Sequence, residues 1–238
     1  MRLSNRLRMV ADLVPPCEAV ADVGCDHAYL SVWLLRGGVA QYAYACDVRV
    51  GPLAKAAETI RFFHMQERAQ TVLCDGLAGL RPGDAQVIVM AGMGGELTNR
   101  ILTDGSECAK AAKCLVLQPQ SDWELVRRRV YELGFAITDE RCVFEDGKYY
   151  VAMRAERIAD AVSVAGEKPY DTAEYRYGRI LPRKKDMTYL AWLTAECEKK
   201  TAMLKRLAEA GTEAAGARIE SAAAELAELA VVMRSFYE

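Results

Sequence analysis

Ala19-Val20-Ala21-Asp22-Val23-Gly24-Cys25-Asp26-His27-Ala28-Tyr29 begins as a short apolar run and breaks at a glycine just before an apolar segment of helical length. Residues 19–24 read as a strand entering a tight turn, and residues 29–35 as a helix stopped by Gly37-Gly38. The same unit recurs downstream. Residues 41–47 form a strand ending in an acid, Gly51-Pro52 opens a helix to about Met65, and residues 70–74 form a strand ending at Asp75-Gly76. Residues 87–90 are wholly apolar and empty into Ala91-Gly92-Met93-Gly94-Gly95, followed by a helix over residues 96–102. A fifth strand, 113–118, is halted by Pro119, and the next helix covers 122–133 with Asp122 as its expected cap. Upstream, Leu3, Leu7, Val10 and Ala11 recur at helical spacing until Pro15-Pro16 ends the pattern.

Short apolar strands alternating with helices specify an α/β fold with an open parallel sheet covered on both faces. The pattern changes at residues 135–144 and 148–156, two strand-like runs separated only by Glu145-Asp146-Gly147. That connection is too short for a helical crossover, so the two runs must pair antiparallel. A parallel sheet closing with an antiparallel strand from a terminal hairpin is a trait of the Rossmann-like class I methyltransferase sheet, whereas dinucleotide dehydrogenases continue parallel. From about residue 161 the composition shifts toward Ala, Glu, Lys and Arg. Leu190, Leu193, Cys197, Thr201, Leu204 and Leu207 form one seam, and Ile219, Ala222, Leu226, Leu229, Met233 and Phe236 a second, with residues 211–216 between them. Such seams predict a C-terminal helical coiled-coil hairpin. The expected domains are therefore residues 1–160 and residues 161–238.

A chain of 238 residues that is 52% hydrophobic can bury one sizeable core and carry a smaller appendage. No apolar run reaches about 18 residues, and the basic amphipathic start lacks the apolar centre of a signal peptide, so a cytoplasmic protein with no membrane contact is expected. Eight cysteines stand without any Cys-x-x-Cys pair and only His27 and His64 could complete a site, so no metal is expected and the thiols read as reduced. Cys46, Cys74 and Cys114 fall in strands as small buried hydrophobes. The net charge of -2 does not announce a nucleic-acid binder, but local patches, not net charge, attract phosphates.

Ligands of open α/β sheets bind outside the carboxyl ends of the strands, where strand order reverses. Those ends deliver Asp22, Gly24, Asp26 and His27 from the first strand, Asp47 from the second, Asp75-Gly76 from the third, Ala91-Gly92-Met93-Gly94-Gly95 from the fourth and Gln118-Pro119-Gln120 from the fifth. Gly24 permits close backbone approach, Asp47 can accept from ribose hydroxyls, and Asp75 can accept from an adenine amino group. Alone, each of these is equally a turn or a cap; together they suit an adenosyl ligand. Asp26 stands where the second glycine of G-x-G-x-x-G would be, so its carboxylate would repel a pyrophosphate but could face a sulfonium. S-adenosylmethionine is thus favoured over a dinucleotide.

Over essentially its full length the chain resembles the bacterial tRNA (adenine(22)-N(1))-methyltransferase family. The resemblance is carried by residues 3–7, by Asp26-His27-Ala28-Tyr29 within the run 21–30, by Cys74-Asp75-Gly76-Leu77, Ala91-Gly92-Met93-Gly94-Gly95, Leu117-Gln118-Pro119 and Glu145-Asp146-Gly147-Lys148, and by the closing helical hairpin. It implies methyl transfer from S-adenosylmethionine to N1 of an adenine in the D-arm region of tRNA, with the hairpin helping to hold the tRNA and no obligate protein partner. Cofactor contacts are expected from Asp22, Gly24, Cys25, Asp26, His27, Asp47, Asp75, Gly76, Ala91, Gly92 and Met93.

Adenine N1 carries a lone pair, so transfer depends on alignment and exclusion of water rather than on a base that creates the nucleophile. The methylated base is cationic, and Asp26 is the leading candidate to stabilise it or accept its proton, with His27 as the alternative. Tyr29, Met93, Gly94 and Gln118 are expected on the substrate side, since an extruded base needs an aromatic or thioether wall. Arg6, Arg8, Arg127, Lys184 and Lys185 are expected phosphate contacts, set against the plainer reading of charge runs as solvated faces. His64 is read as a helical residue without chemistry. Two other functions fit the chain: methylation of a protein or small molecule, and a non-enzymatic nucleic-acid-binding or dimerising protein. No Asn/Asp-Pro-Pro-Tyr/Phe or Pro-Cys motif supports amino-group or covalent cytosine methylation.

Overall fold

The computed structural model describes residues 1–159, 170–210 and 213–237. It divides into two compact units, Met1–Glu167 and Lys168–Glu238. The boundary expected at residue 160 lies outside the described residues.

The first unit runs α1 (Asn5–Ala11), β1 (Cys17–Val23), α2 (Tyr29–Arg36), β2 (Ala40–Asp47), α3 (Val50–Phe62), β3 (Ala69–Leu73), β4 (Val87–Met93), α4 (Gly95–Asp104), α5 (Ser106–Ala111), β5 (Cys114–Pro119), α6 (Trp123–Glu132), β6 (Phe135–Glu145) and β7 (Lys148–Arg157). One seven-stranded sheet results, in the order β3-β2-β1-β4-β5-β7-β6. β7 is antiparallel to both β5 and β6, and the other neighbours pair parallel. The chain steps outward from β1 to β3 and returns to place β4 beside β1, so the order reverses between β1 and β4. Crossovers of one hand running in opposite directions put their helices on opposite faces.

Both faces are covered, as the continuous apolar strands require. Val87 and Val89 join one core with Val10 of α1, Leu34 and Leu35 of α2, and Ala56 and Ile60 of α3. Ile88 and Met90, pointing the other way, are equally buried, and α4 packs on α6. Behind the hairpin, Arg127 of α6 donates from Nε and Nη2 to Glu140 Oε1 of β6 at 3.0 and 2.9 Å, with neither side chain exposed.

Several local expectations are corrected. β4 continues through Ala91-Gly92-Met93, with an irregular register against β5 between Ala91 and Met93, so these residues are a strand end rather than a loop. Asp122 occupies the N-cap position of α6 in a left-handed conformation and makes no cap bond; it accepts from Ser121 Oγ at 2.6 Å instead. His64 lies past the end of α3 with φ +57°, a conformation that ends the helix. Cys74 follows β3 instead of lying within it. The short α5 has no strong periodicity in the sequence and was not anticipated.

The second unit comprises α7 (Thr172–Tyr177), α8 (Ile180–Arg183), α9 (Met187–Ala210) and α10 (Glu213–Arg234), with α9 and α10 packed as a helical hairpin. Leu193 and Leu229 are fully buried along the seam, whereas Thr201 is exposed. Asp171 and Glu174 form a reciprocal capping box on α7. Gly216 falls inside α10 rather than in the connection, and residues 211 and 212 lie outside the described residues.

Candidate active site

The turn after β1 is stitched to the end of β2: the Gly24 and Cys25 amides both donate to the Cys46 carbonyl, at 2.8 and 2.9 Å. Gly24 takes φ +75°, and a Cβ there would stand 2.9 Å from Met93 Cε. Backbone and thioether thus meet with no room for a side chain. Asp26 and Ala28 are also left-handed, with φ +51° and +55°. Aspartate tolerates that conformation better than most residues because its short carboxylate can bond locally. The turn therefore keeps the backbone shape that a glycine would allow at position 26 while adding an anion.

Beside this turn, across the point where strand order reverses, lies a cleft of about 400 Å³. Gly24, Asp47, Asp75, Gly76, Ala91, Gly92 and Met93, all drawn from the ends of β1 to β4, line it. Asp47 is only 6% exposed; its Oδ1 accepts from the Arg49 amide at 2.9 Å, and its Oδ2 accepts no hydrogen bond among the described residues. Asp75 holds Arg100 with both oxygens, at 3.0 and 3.1 Å, and this bidentate pairing lowers the Asp75 pKa. Arg100 was not anticipated; it lies on the cleft wall one turn into α4, a position that the glycines before it could have marked.

Asp22 is a correction. It is 4% exposed and lies beneath the cleft, accepting from Ser31 Oγ of α2 at 2.6 Å, so it ties α2 to β1 and is not among the residues lining the cleft. Burial pushes its pKa up to about 6, helped by the nearby Asp47 charge and opposed by the Ser31 bonds. The Cys25 thiol is likewise turned into the core, leaving only its backbone at the turn. Cys46 and Cys74, read from sequence as packing residues, both line the cleft. Their thiols interact, and the Cys46 thiol lowers the Cys74 pKa.

Asp26 and His27, in the turn that follows Gly24, are not among the residues lining the cleft; His27 Nε2 stands 3.6 Å from Asp26 Oδ1 and both side chains reach solvent. The His27 ring lies parallel to Tyr29, centroids 5.7 Å apart. Tyr29 lines a separate groove and not the cofactor-sized cleft. Gly94 is the N-cap of α4, its carbonyl accepting from Thr98 Oγ1 at 3.0 Å.

Gln118 is fully buried, and it supports the site from behind: Oε1 accepts from Arg6 Nη1 at 2.8 Å and Nε2 donates to the Pro119 carbonyl at 3.3 Å. It therefore presents no surface to a substrate. Arg6 turns inward too, backing Gly92, where an added Cβ would stand 3.1 Å from its Nη1. Arg8 pairs with Asp12 and lies over Trp33. Arg127, expected on phosphates, has no exposure and is held by Glu140, so it cannot reach one. Lys184 and Lys185 belong to the second unit, at the end of α8.

This donor set fits an adenosyl sulfonium. Two glycine-lined approaches and one buried carboxylate with an unused oxygen suit a ribose and a close-lying cation, and Asp26 stands where a diphosphate would be repelled.

Comparison with known proteins agrees. The methyltransferase domain family matches residues 3–153. The chain is similar to the tRNA (adenine(22)-N(1))-methyltransferase of Bacillus subtilis, 30% identical over 216 residues that cover 88% of this chain and 87% of that protein. The crystal structure of the B. subtilis m1A22 tRNA methyltransferase superposes with a TM-score of 0.88 at 28% identity, covering 98% and 99% of the two chains. A Streptococcus pneumoniae protein solved in complex with S-adenosyl-L-methionine gives 0.84 at 27% identity, covering 98% and 100%.

Proposed function

We propose, from the premise that this chain belongs to the tRNA (adenine(22)-N(1))-methyltransferase family, that it transfers a methyl group from S-adenosylmethionine to N1 of adenine 22 in tRNA. The observation that carries this reading is the gathering of Gly24, Asp47, Asp75 and Gly92 around one cleft, with Asp26 two residues beyond Gly24 in the same turn. S-adenosylmethionine supplies the electrophilic methyl group. The Asp47 carboxylate accepts from a ribose hydroxyl through Oδ2, and Gly24 and Gly92 let the cofactor approach the backbone. Asp75 engages the adenosyl end while held in place by Arg100.

The substrate adenine attacks through its own N1 lone pair, so the protein's task is to hold the base in line and keep water out. Met93 forms one wall. Asp26 stabilises the cationic base that results, or takes the proton it sheds, and His27 orients that carboxylate. Among the described residues no helix is long and apolar enough to cross a membrane. The tRNA substrate proposed here is what assigns the protein to the cytoplasm.

Transfer of labelled methyl from S-adenosylmethionine to unmodified tRNA tests the function. Wild type should label N1 of adenine 22. Asp26→Ala should lower kcat about 100-fold or more, the range for a positioned proton acceptor, while cofactor affinity measured by calorimetry changes little. Unchanged incorporation in Asp26→Ala would remove Asp26 from the mechanism, and labelling of protein alone would overturn the substrate.

A further inference from the structure

Outside the cleft, the first unit carries a band in which aromatic rings and guanidinium groups alternate. Phe62, at the end of α3, is 76% exposed and meets Phe63 edge-on at 5.0 Å. Tyr29, at the start of α2, is 45% exposed. The two rings line one groove of about 540 Å³ with Arg2 and Thr59, and Glu58 is the one acid on its wall. Arg36 lies over the Phe63 ring at 5.1 Å, and Arg8 over Trp33 at 4.9 Å. Arg2, Arg36 and the exposed Arg61 make no ion pair among the described residues.

Phe62 does not stand alone but shares one groove with Phe63 and Tyr29, and a contiguous exposed apolar patch marks an interaction site. An apolar protein partner would not call for Arg2 on the groove wall and Arg36 over Phe63, and the regular phosphate ridge of an RNA helix would not call for an open ring. An unstacked nucleotide uses both, because its base stacks on aromatic faces while its phosphates pair with arginine. The groove also adjoins the turn that carries Asp26: Asp26 lies 3.6 Å from His27, and the His27 ring lies parallel to Tyr29 on the groove wall. An adenine drawn out of its stack for methylation leaves such a neighbour unstacked.

We infer that the groove between the start of α2 and the end of α3 docks a tRNA nucleotide adjacent to the methylated adenine, its base against Phe62 and its phosphates at Arg2 and Arg36. This inference rests on the tRNA reading above.

Steady-state methylation of tRNA by Phe62→Ala, Phe62→Trp and Arg36→Gln tests it, with cofactor calorimetry alongside. Phe62→Ala should raise KM for tRNA about 5- to 50-fold, the range for loss of one stacked base. Its kcat should stay within about twofold, with cofactor affinity unchanged, and Phe62→Trp should restore KM. Arg36→Gln should reduce the slope of log KM against log salt by about 1. Wild-type activity on tRNA with an unchanged KM in Phe62→Ala overturns this inference alone, as does a Phe62→Ala protein whose only change is loss of a dimer in sedimentation. Wild-type inactivity on tRNA overturns both readings together.

Discussion

Asp47 holds one carboxylate oxygen in reserve at the end of β2, whereas behind the hairpin Arg127 and Glu140 close on each other with no surface left over. Both regions bury charge. In the first, the carboxylate opens on a cleft, and the partner proposed for its second oxygen is the cofactor ribose. In the second, burial is matched by an opposite charge, and the result is a joint between α6 and β6. Residue type does not separate the two; the enclosed guanidinium paired with Glu140, against the open cleft beside Asp47, does.

The contrast can be broken most forcefully at the joint. Arg127→Ala strands the Glu140 carboxylate in the core and should cost about 3–5 kcal/mol, measured by urea unfolding. Replacing both partners with apolar residues should recover most of that loss. A variant that unfolds like wild type but binds tRNA poorly would instead return Arg127 to the phosphate-binding surface.

Asp22 sharpens the contrast, being buried like the joint but lacking a cation. The aspartate pKa in an unfolded chain is near 3.9, against about 6 in the fold. The folded state thus binds the proton more tightly and unfolding releases it, so this group's contribution falls as pH rises from about 4 to about 6. The span is on the order of 3 kcal/mol. Asp22→Asn should therefore gain stability relative to wild type between pH 4 and pH 7, and parallel pH profiles would show that the buried carboxylate is not raised.

The smallest effect on folding is expected at the cleft. Asp47→Asn should leave the melting temperature of the ligand-free protein close to wild type and weaken S-adenosylmethionine binding about 10- to 100-fold by calorimetry, as loss of charged hydrogen bonds predicts. Asp75→Asn, exposed and already occupied by Arg100, should weaken it less. Equal losses at the two acids would mean that spare bonding capacity does not rank them.

Features that depend on local pattern were legible in the sequence. The apolar run 87–90 reads as a strand buried on both faces because all four side chains are hydrophobic, and Glu145-Asp146-Gly147 forces the antiparallel hairpin because no crossover fits in three residues. Asp47 and Asp75 were marked by their place at strand ends. What stayed hidden depends on partners far apart in the chain: Gln118 looked like a substrate contact until Arg6 was found bonded to it. Arg127 did leave a signal, since it shares a helix face with the buried Val126 and Val130, but the run of three arginines reads as a solvated surface. Asp22 was misread because strand alternation does not reveal that Ser31 of the following helix answers it.

The amides of Asn5 and Arg6 both rest on the Glu145 carboxylate, at 2.7 and 3.1 Å, so the hairpin turn clasps the beginning of the chain. Trimming the first six residues, a small edit at an apparently dispensable end, removes the guanidinium behind Gly92 and the partner of Gln118. Damage would then spread to the methyl-transfer pocket through its backing, with every residue of the cleft wall still in the chain.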